Sequence, residues 1–428
     1  MVDSIRSSLP PAYAHLFNAF FDRPKVVETR ANCDNCSMCD HGEASPVAME
    51  FFNSDTKCCT FWPTLPNYLV GAILSDTSPE MAEGRRRLEQ IIAKRVGVTP
   101  WHVDRPRKMS LLMTGYSASF GRAKKLLCPF YDASNPAGSC SIWRHREVIC
   151  MTYYCKYTGG SRGHAYWIAL KSYLLYVQRS LAQTAAREIA PEVIEPKFTN
   201  KGLTLEEMED LPPKESDYAA WWKSWVGREV EFYKKCHEWV VNLPPAQFAK
   251  NVDHSKEGGP LLAELIGKYD LLESKILPKS LVRNARMKEA HVGDKVVVTS
   301  YHPYDSFALD KDLFEVVGLF RADQTLDENL ERLKRDEGIE LAPELIDYLF
   351  AAGVLVDPND GNAKQPAVNN NPGELKGRRA ALGAVLEARG LAADDAAKAR
   401  IAAADAATLE LWIKKAAVAR AIHEVLDD

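Results

Sequence analysis

CPFYDASNPAGSCSIWRHREVICMTYYC, at residues 128–155, is the stretch around which this chain is organised, because four cysteines fall within it. A second group lies upstream, in CDNCSMC at 33–39 and in an adjacent pair at 58–59. The nine clustered cysteines are Cys33, Cys36, Cys39, Cys58, Cys59, Cys128, Cys140, Cys150 and Cys155. Because only Cys236 lies elsewhere, the clustering indicates disulfides or metal ligands rather than packing.

Length and composition define the broad class of the protein. A chain of 428 residues is too long for one hydrophobic core, so several domains are expected. The formal net charge of −4 predicts no general attraction to nucleic acid or to an anionic membrane. The N-terminus lacks the basic start and apolar core of a signal peptide, and no apolar run approaches the roughly 18 residues of a membrane span. The sequence therefore predicts a cytoplasmic protein without a membrane partner.

The cytoplasmic location favours metal ligands over disulfides for the clustered cysteines. In a reducing compartment, cysteines at this density more often bind metal. Nine thiols exceed the four of one tetrahedral site, so they fit two centres, or one polynuclear centre with spare thiols. The side chains of the adjacent Cys58 and Cys59 should point apart, which suits two centres better than one.

The spacing of the cysteines favours an iron–sulfur cluster, with zinc as the alternative. The C-x2-C-x2-C spacing at 33–39 lets three thiolates of one loop converge, as in ferredoxin-type cubane sites. Zinc commonly takes two facing C-x2-C knuckles, whereas the later four cysteines are separated by 11, 9 and 4 residues. Neighbouring aromatic residues would keep water from sulfide, although they would also serve as the core of a small zinc domain.

These residues resemble the bacterial YkgJ-type family of zinc- or iron-chelating cysteine-cluster domains. The resemblance covers about residues 30–160 and rests on CDNCSMC, on CPFYD at 128–132 and on CSIWRHREVIC at 140–150. It implies that the clustered cysteines hold the metal. Two features depart from the family pattern: Cys58 and Cys59 lie 19 residues beyond Cys39, and Glu147 stands where the family has proline.

The same resemblance leaves the question of catalysis open. One branch of the family looks like enzymes that N-methylate flagellin lysines, which implies a metal-dependent protein-modifying enzyme as one alternative function. The sequence has no glycine-rich strand–turn–helix pattern that would mark an ordinary S-adenosylmethionine site. A further alternative, from a different class, is a protein that stores or delivers metal through its thiols.

Arg146 is the candidate residue for stabilising the cofactor. Several thiolates around a metal leave a net negative centre, which a guanidinium four residues before Cys150 would offset by charge-assisted hydrogen bonds. A surface salt bridge is the alternative role. The candidate imidazole ligands are His41, His102, His145 and His164, for which a surface or hydrogen-bonding role is the competing interpretation.

The fold class predicted from the sequence is α+β, mostly α, with several domains. The predicted order is an irregular cysteine-rich metal-binding domain at 1–160, a helical region at 161–275 and a winged-helix-like domain at 276–358. A flexible linker at 359–376 and a small helical bundle at 377–428 follow. The winged-helix-like and C-terminal modules are expected to dock a protein or peptide, because the mixed charge of their helices does not favour nucleic acid.

Overall fold

The structure is a computed structural model of the chain. It describes residues 3–31, 33–40, 51–115, 119–135, 138–196, 202–274, 276–359, 372–404, 406–416, 419 and 421–426. His41 and most of the predicted linker at 359–376 lie outside these residues. The chain divides into two compact units: Met1–Leu277 with Glu289–Lys311 and Pro343–Gly353, and Pro278–Lys288 with Asp312–Ala342 and Val354–Asp428. Both units contain residues of the predicted winged-helix-like domain, whose limits stay a prediction.

Helices dominate the described residues, and the strands are short, which confirms the predicted α+β, mostly α class. The helices α1 to α18 are, in chain order, Pro11–Ala14, Asn67–Ser75, Ala82–Lys94, Arg107–Gly115, Val148–Thr152, Gly160–Ile189, Leu205–Met208, Glu215–Trp222, Glu229–Val241, Pro245–Phe248, Gly258–Ser274, Lys311–Val317, Leu326–Arg332, Pro343–Ala351, Pro372–Ala388, Asp395–Ala403, Ala406–Ala416 and Ile422–Leu426. The strands β1 to β9 are Leu65–Pro66, His102–Val103, Tyr131–Asp132, Ser139–Cys140, Val282–Arg283, Lys288–Val292, Lys295–Thr299, Phe307–Asp310 and Leu355–Val356. No described helix is both long and apolar enough to cross a bilayer.

The sheets are small and antiparallel where their pairing is defined. Strand β1 pairs with β2, β3 with β4 and β5 with β9, while β6, β7 and β8 form a three-stranded sheet in that order. Short 3-10 segments at Arg6–Ser8, Ala19–Asp22, Pro79–Met81, Lys124–Leu126, Trp143–His145 and Lys223–Trp225 connect the longer elements. Strands of two residues cannot form a core of their own, so helices must supply it.

Helix α6 is the central element of the first unit. Its sequence places large apolar residues three or four positions apart, and Tyr166, Tyr173, Leu174 and Val177 are all buried on this face. The helix begins at Gly160, which has a φ of +58°, and a Cβ there would collide with a backbone carbonyl. Helices α9 and α11 pack against α6, and α2 packs against α9. The aromatic core of this unit therefore supports the irregular cysteine-bearing loops.

The second unit contains two small structural groups. In one, a capping box formed by Thr325 and Glu328 starts α13, with both of its reciprocal hydrogen bonds formed. In the other, helices α15 to α18 bury a core that includes Leu382, Leu409 and Trp412. The tail therefore has apolar positions of its own to bury, as the sequence predicts.

Candidate metal centre

The loop that carries the first three cysteines is folded by backbone hydrogen bonds. The Cys39 amide donates to the Cys36 carbonyl at 2.9 Å, and the Phe52 amide donates to the Met38 carbonyl at 2.7 Å. Cys36, Met38, Cys39 and Phe52 are buried together. Phe120 packs on this cluster with its ring centroid 5.4 Å from that of Phe52. Two of the three thiols are thus held inside the protein rather than on a surface loop.

The adjacent cysteines lie directly beside the stretch that begins at Cys128. The Cys59 amide closes a turn on the Thr56 carbonyl at 3.0 Å, and the Cys128 amide donates to the Cys59 carbonyl at 2.8 Å. Cys140 pairs with Tyr131 across the β3–β4 ladder. These hydrogen bonds bring together segments that are far apart in the sequence.

Cys150 lies on α5, and the chain then turns to bring Cys155 to the first group. The Glu147 carboxylate begins α5 by accepting the Ile149 amide at 2.9 Å. The Ser37 hydroxyl lies 3.7 Å from the Cys155 sulfur, within hydrogen-bond range for a thiol. The upstream and downstream cysteine groups therefore meet at Ser37 and Cys155.

The thiols interact electrostatically as one neighbourhood. Negative charge on Cys58, Cys36 or Cys155 would raise the pKa of the Cys33 thiol. Negative charge on Cys128, Cys140 or Cys58 would likewise raise the pKa of the Cys150 thiol. Cys58 belongs to both sets and joins them. Cys236, in contrast, lies in the hydrophobic core on α9. The nine predicted cysteines are thus gathered in one region and the tenth is apart.

Burial makes these thiols hard to ionise in the absence of a cation. It raises the pKa of Cys33 and of Cys39 to about 11, and that of Cys128 to about 12. Burial also raises the pKa of Cys150 well above its usual value. A metal cation would reverse this cost, because it stabilises the thiolate directly.

Cys150 combines surface exposure with desolvation. The residue is exposed to water, yet protein atoms surround its thiol closely enough for burial to dominate its pKa shift. Cys33 shows the same combination. The exposed part of each residue is therefore not its sulfur atom alone.

Arg146 lies among the thiols with part of its hydrogen-bonding capacity unused. Burial lowers the pKa of its guanidinium, while the nearby Tyr154, Cys140, Cys150 and Cys33 act in the opposite direction. Among the described residues, its buried Nε and Nη1 atoms find no hydrogen-bond partner. A buried cation with orphaned donors requires an anionic neighbour, because unsatisfied charged groups are costly in a protein interior.

The thiols lie near one another, but they are not arranged at the positions that coordination of one metal ion requires. Across the described ranges, no three cysteine, histidine, aspartate or glutamate side chains are arranged so that they could hold one metal ion. The donor set itself suits a thiophilic metal, since it consists of clustered sulfur atoms beside a guanidinium. Ligation would therefore require the thiols to close on the ion as it binds.

The described candidate imidazoles are engaged in other interactions. His102 lies beside the Thr99 hydroxyl at 3.4 Å, and burial lowers its pKa. His145 is 2.8 Å from the Asp76 carboxylate through Nε2. His164 packs edge-on against Tyr157 with ring centroids 4.9 Å apart. The contacts of His102 and His145 agree with the hydrogen-bonding alternative, whereas His164 makes a ring contact that neither interpretation specified.

One supporting segment was not anticipated from the sequence: the loop SYHPYD at 300–305. The backbone of Cys155 lies close enough to the His302 imidazole to raise its pKa, against the larger effect of burial, and Tyr304 packs with its ring centroid 5.2 Å from that of Phe52. The fully buried Asp305 accepts the Arg30 guanidinium at 2.7 Å. The run of aromatic, histidine and acidic residues in this loop is a signal, but nothing local indicates where the loop packs.

The fold and the site define an α-rich protein with a semi-buried cysteine cluster around an arginine. No family model, no curated protein and no solved structure matches the chain. The function is therefore argued from the chemistry of the site.

Proposed function

We propose that this protein is a cytoplasmic metalloprotein whose clustered cysteines bind an iron–sulfur cluster, with zinc as the alternative metal. The proposed ligands are drawn from Cys33, Cys36, Cys39, Cys58, Cys59, Cys128, Cys140, Cys150 and Cys155. The resemblance to the YkgJ-type family supports the proposal that these cysteines bind a metal. When bound, such a cluster would supply one-electron chemistry at a thiolate-ligated iron centre.

The observation that carries the proposal is the state of Arg146. Its Nε and Nη1 atoms are buried and find no hydrogen-bond partner within the described parts of the chain, and Cys140, Cys150 and Cys33 lie close enough to influence its charge. Neutral thiols are weak acceptors and would leave the guanidinium uncompensated. Thiolates or sulfides of a bound cluster would provide the missing acceptors and negative charge.

The distribution of donors supports a polynuclear centre over a single zinc ion. The thiols come from at least four separate segments, and Cys58 links two groups of them. A single tetrahedral ion needs only four ligands and would leave most of these buried thiols without a role. The surrounding Phe120 and Tyr153 rings, 5.4 Å apart, would shield sulfide from water.

Protein-modifying catalysis or metal delivery is the alternative use of the same thiols. Both alternatives need a second molecule to reach the centre, and Cys33 and Cys150 are the two exposed cysteine residues, although protein atoms largely surround their sulfur atoms. A delivery protein would release its metal readily to a chelator, whereas an enzyme or electron-transfer centre would retain it. The proposed docking of a protein or peptide at the winged-helix-like and C-terminal modules is compatible with each of these functions.

Anaerobic purification with metal and sulfide analysis tests the proposal. We expect brown protein with acid-labile sulfide in proportion to iron, and loss of both in Cys150→Ser. Cys236→Ser is the matched control, because it removes a buried thiol outside the cluster. Colourless protein with stoichiometric zinc would show that the bound metal is zinc and not an iron–sulfur cluster. Full metal content in Cys150→Ser would show that Cys150 is not a ligand.

A further inference from the structure

We infer that an exposed apolar surface on helices α4 and α7 binds a basic amphipathic helix of a partner protein. The surface consists of Leu111, Leu112, Leu205, Met208 and Leu211, and we call it the α4–α7 surface. It belongs neither to the proposed metal centre nor to the winged-helix-like and C-terminal modules. Binding there goes beyond the proposed function and needs no bound metal.

The α4–α7 surface is apolar and open to water. Helix α4 has no buried residue, although its sequence, RKMSLLMTG, is rich in large apolar side chains. Helix α7 has no buried residue either. The five residues of the surface are between 48% and 76% exposed. Single exposed apolar residues are common on proteins, whereas a contiguous group of them marks an interaction site.

Ion pairs hold the two helices side by side. The Nη1 atom of Arg107 donates to both carboxylate oxygens of Glu207 at 3.1 Å. The Nζ atom of Lys108 lies 2.7 Å from the Asp210 carboxylate and donates to the Met208 carbonyl at 2.8 Å. Helices as short as α4 and α7 are marginal on their own, so these pairs fix the surface that the helices carry.

The same pairs show that the apolar residues of the two helices adjoin. Side chains three or four positions apart lie on one face of a helix. Leu111 is therefore one turn beyond Arg107, and Leu112 is one turn beyond Lys108. Because both basic residues contact α7, the two leucines lie on the side of α4 that faces this helix. The apolar side chains form one surface rather than two.

The architecture of the surface favours a helix as its occupant. Both elements that form it are helices, which use their backbone groups internally and present side chains. An extended peptide gains affinity from backbone hydrogen bonds to a strand edge, whereas an amphipathic helix packs its apolar face against apolar side chains. Met208 contributes a flexible and polarisable side chain, which adapts readily to a partner.

The charges at the edge of the surface favour a basic partner. Residues 206–210, EEMED, include four acidic side chains, and the two basic residues of α4 pair with two of them. Lys214 lies near Glu206 and offsets one of the remaining charges. The exposed Glu209 forms no salt bridge with any residue that the structure describes. The edge keeps an excess of negative charge, which attracts lysine or arginine beside the apolar face of a partner.

The same charge disfavours two other occupants. In a contact between two copies of this chain, the acidic edges would approach each other and repel. An anionic membrane would be repelled for the same reason, because it attracts basic and not acidic segments.

Binding of a synthetic peptide tests the inference. The peptide is LKKLLKLLKKLLKLLK with a fluorescein label, and fluorescence anisotropy measures its affinity for the full chain. The comparison peptide has glutamate in place of every lysine. We expect the lysine peptide to bind and the glutamate peptide not to bind.

Two matched pairs of variants locate the site. Leu112→Ser should weaken binding of the lysine peptide about fivefold or more, as is typical of a central contact residue. Leu271→Ser is its control, because Leu271 is 50% exposed, against 52% for Leu112, but lies on α11. Glu209→Gln should weaken binding and reduce its salt dependence. Glu264→Gln, which changes an exposed residue of α11, should do neither. Circular dichroism checks that each variant is folded.

Weaker binding by Leu112→Ser, with unchanged Leu271→Ser and a preference for the lysine peptide, supports the inference. Failure of the lysine peptide to bind, equal binding of the two peptides, or full affinity in Leu112→Ser would overturn it. Self-association that is lost in Leu112→Ser would overturn it too, since the occupant would then be a second copy. Binding to phosphatidylcholine–phosphatidylglycerol vesicles that is lost in this variant would assign the surface to a membrane instead. These readouts do not involve metal, so their failure leaves the proposed function intact.

Discussion

The guanidinium carbon of Arg146 lies 3.4 Å from the centroid of the Trp143 ring. The indole is 62% exposed and covers one side of the cation, while the buried Nε and Nη1 atoms have no acceptor among the residues that the structure describes. This stacking stabilises the cation by about 1 kcal/mol or more and orients its planar fork. The arrangement keeps a positive charge beside the thiols before any metal arrives.

Replacing Arg146 should weaken metal retention. Arg146→Lys keeps the charge but loses the planar fork that can donate to two acceptors. We expect about a 10- to 100-fold loss of metal affinity, as is typical when a residue that supports the ligands is removed. The measurement is the rate of metal loss to a chelator under anaerobic conditions.

Arg144→Lys provides the control for this experiment. Arg144 is exposed and lies 3.6 Å from the Asp76 carboxylate, away from the unpaired donors of Arg146. Its replacement should leave metal retention unchanged. Equal chelator resistance of Arg146→Lys and the unsubstituted protein would contradict a role for Arg146 at the centre.

Asp305 should be important for the stability of the first unit. Asp305→Ala leaves the Arg30 guanidinium and the Tyr301 hydroxyl without their acceptor, at an expected cost of about 3 kcal/mol in the free energy of unfolding. Asp310→Ala removes an exposed partner of Lys295 and should cost less than about 1 kcal/mol. Urea unfolding of the two variants measures this difference, and equal effects would show that Asp305 has no special role.

His164 should make the folded protein less stable as the pH falls. Burial, assisted by the nearby His302, lowers its pKa from 6.5 to about 4. The folded protein therefore binds fewer protons here than the unfolded chain between these two values, and the stability conferred by neutral His164 is lost as pH falls from about 6.5 to about 4. Protonation of His164 lowers the free energy of unfolding by at most about 1.4 kcal/mol for each pH unit.

A pH series of unfolding experiments on metal-free protein checks this expectation. His164→Phe should flatten the decline between pH 6.5 and 4, because the substituted ring cannot take up a proton. His254→Phe removes an exposed histidine and should keep the decline. An unchanged slope in His164→Phe would show that other groups account for the acid sensitivity.

The C-terminal helices should unfold without loss of metal. Leu409→Ala removes a fully buried side chain from the core of α15 to α18, which should destabilise that bundle by about 2–5 kcal/mol. Leu411→Ala is the control, because it makes the same substitution on the same helix. Leu411 is 50% exposed, so its replacement should change the stability of the bundle little. Calorimetry and metal analysis test both expectations, and metal loss in Leu409→Ala would show that the bundle supports the cysteine centre.

Local sequence signals predicted several elements correctly. The helical region predicted from residue 161 contains α6, whose apolar residues recur at helical spacing around Tyr173, and the Thr325–Glu328 pair is a local signal for the start of α13. Helix periodicity and capping are encoded within a few residues, so no tertiary information was needed. Within the predicted helical region at 161–275, the backbone takes positive φ at Lys223 and Gly227 and separates α8 from α9.

The cysteine clusters, the metal-binding hypothesis and the fold class followed from the sequence by itself, because residue identity and spacing carry that information. Only the tertiary structure decided that His302 and Asp305 pack beside Cys155 and Tyr157, about 150 positions earlier in the chain. It also decided that Arg146 stacks on Trp143, with two buried donors that no described residue accepts from. Such contacts depend on which distant segments exclude water together, and spacing within one segment does not encode that choice.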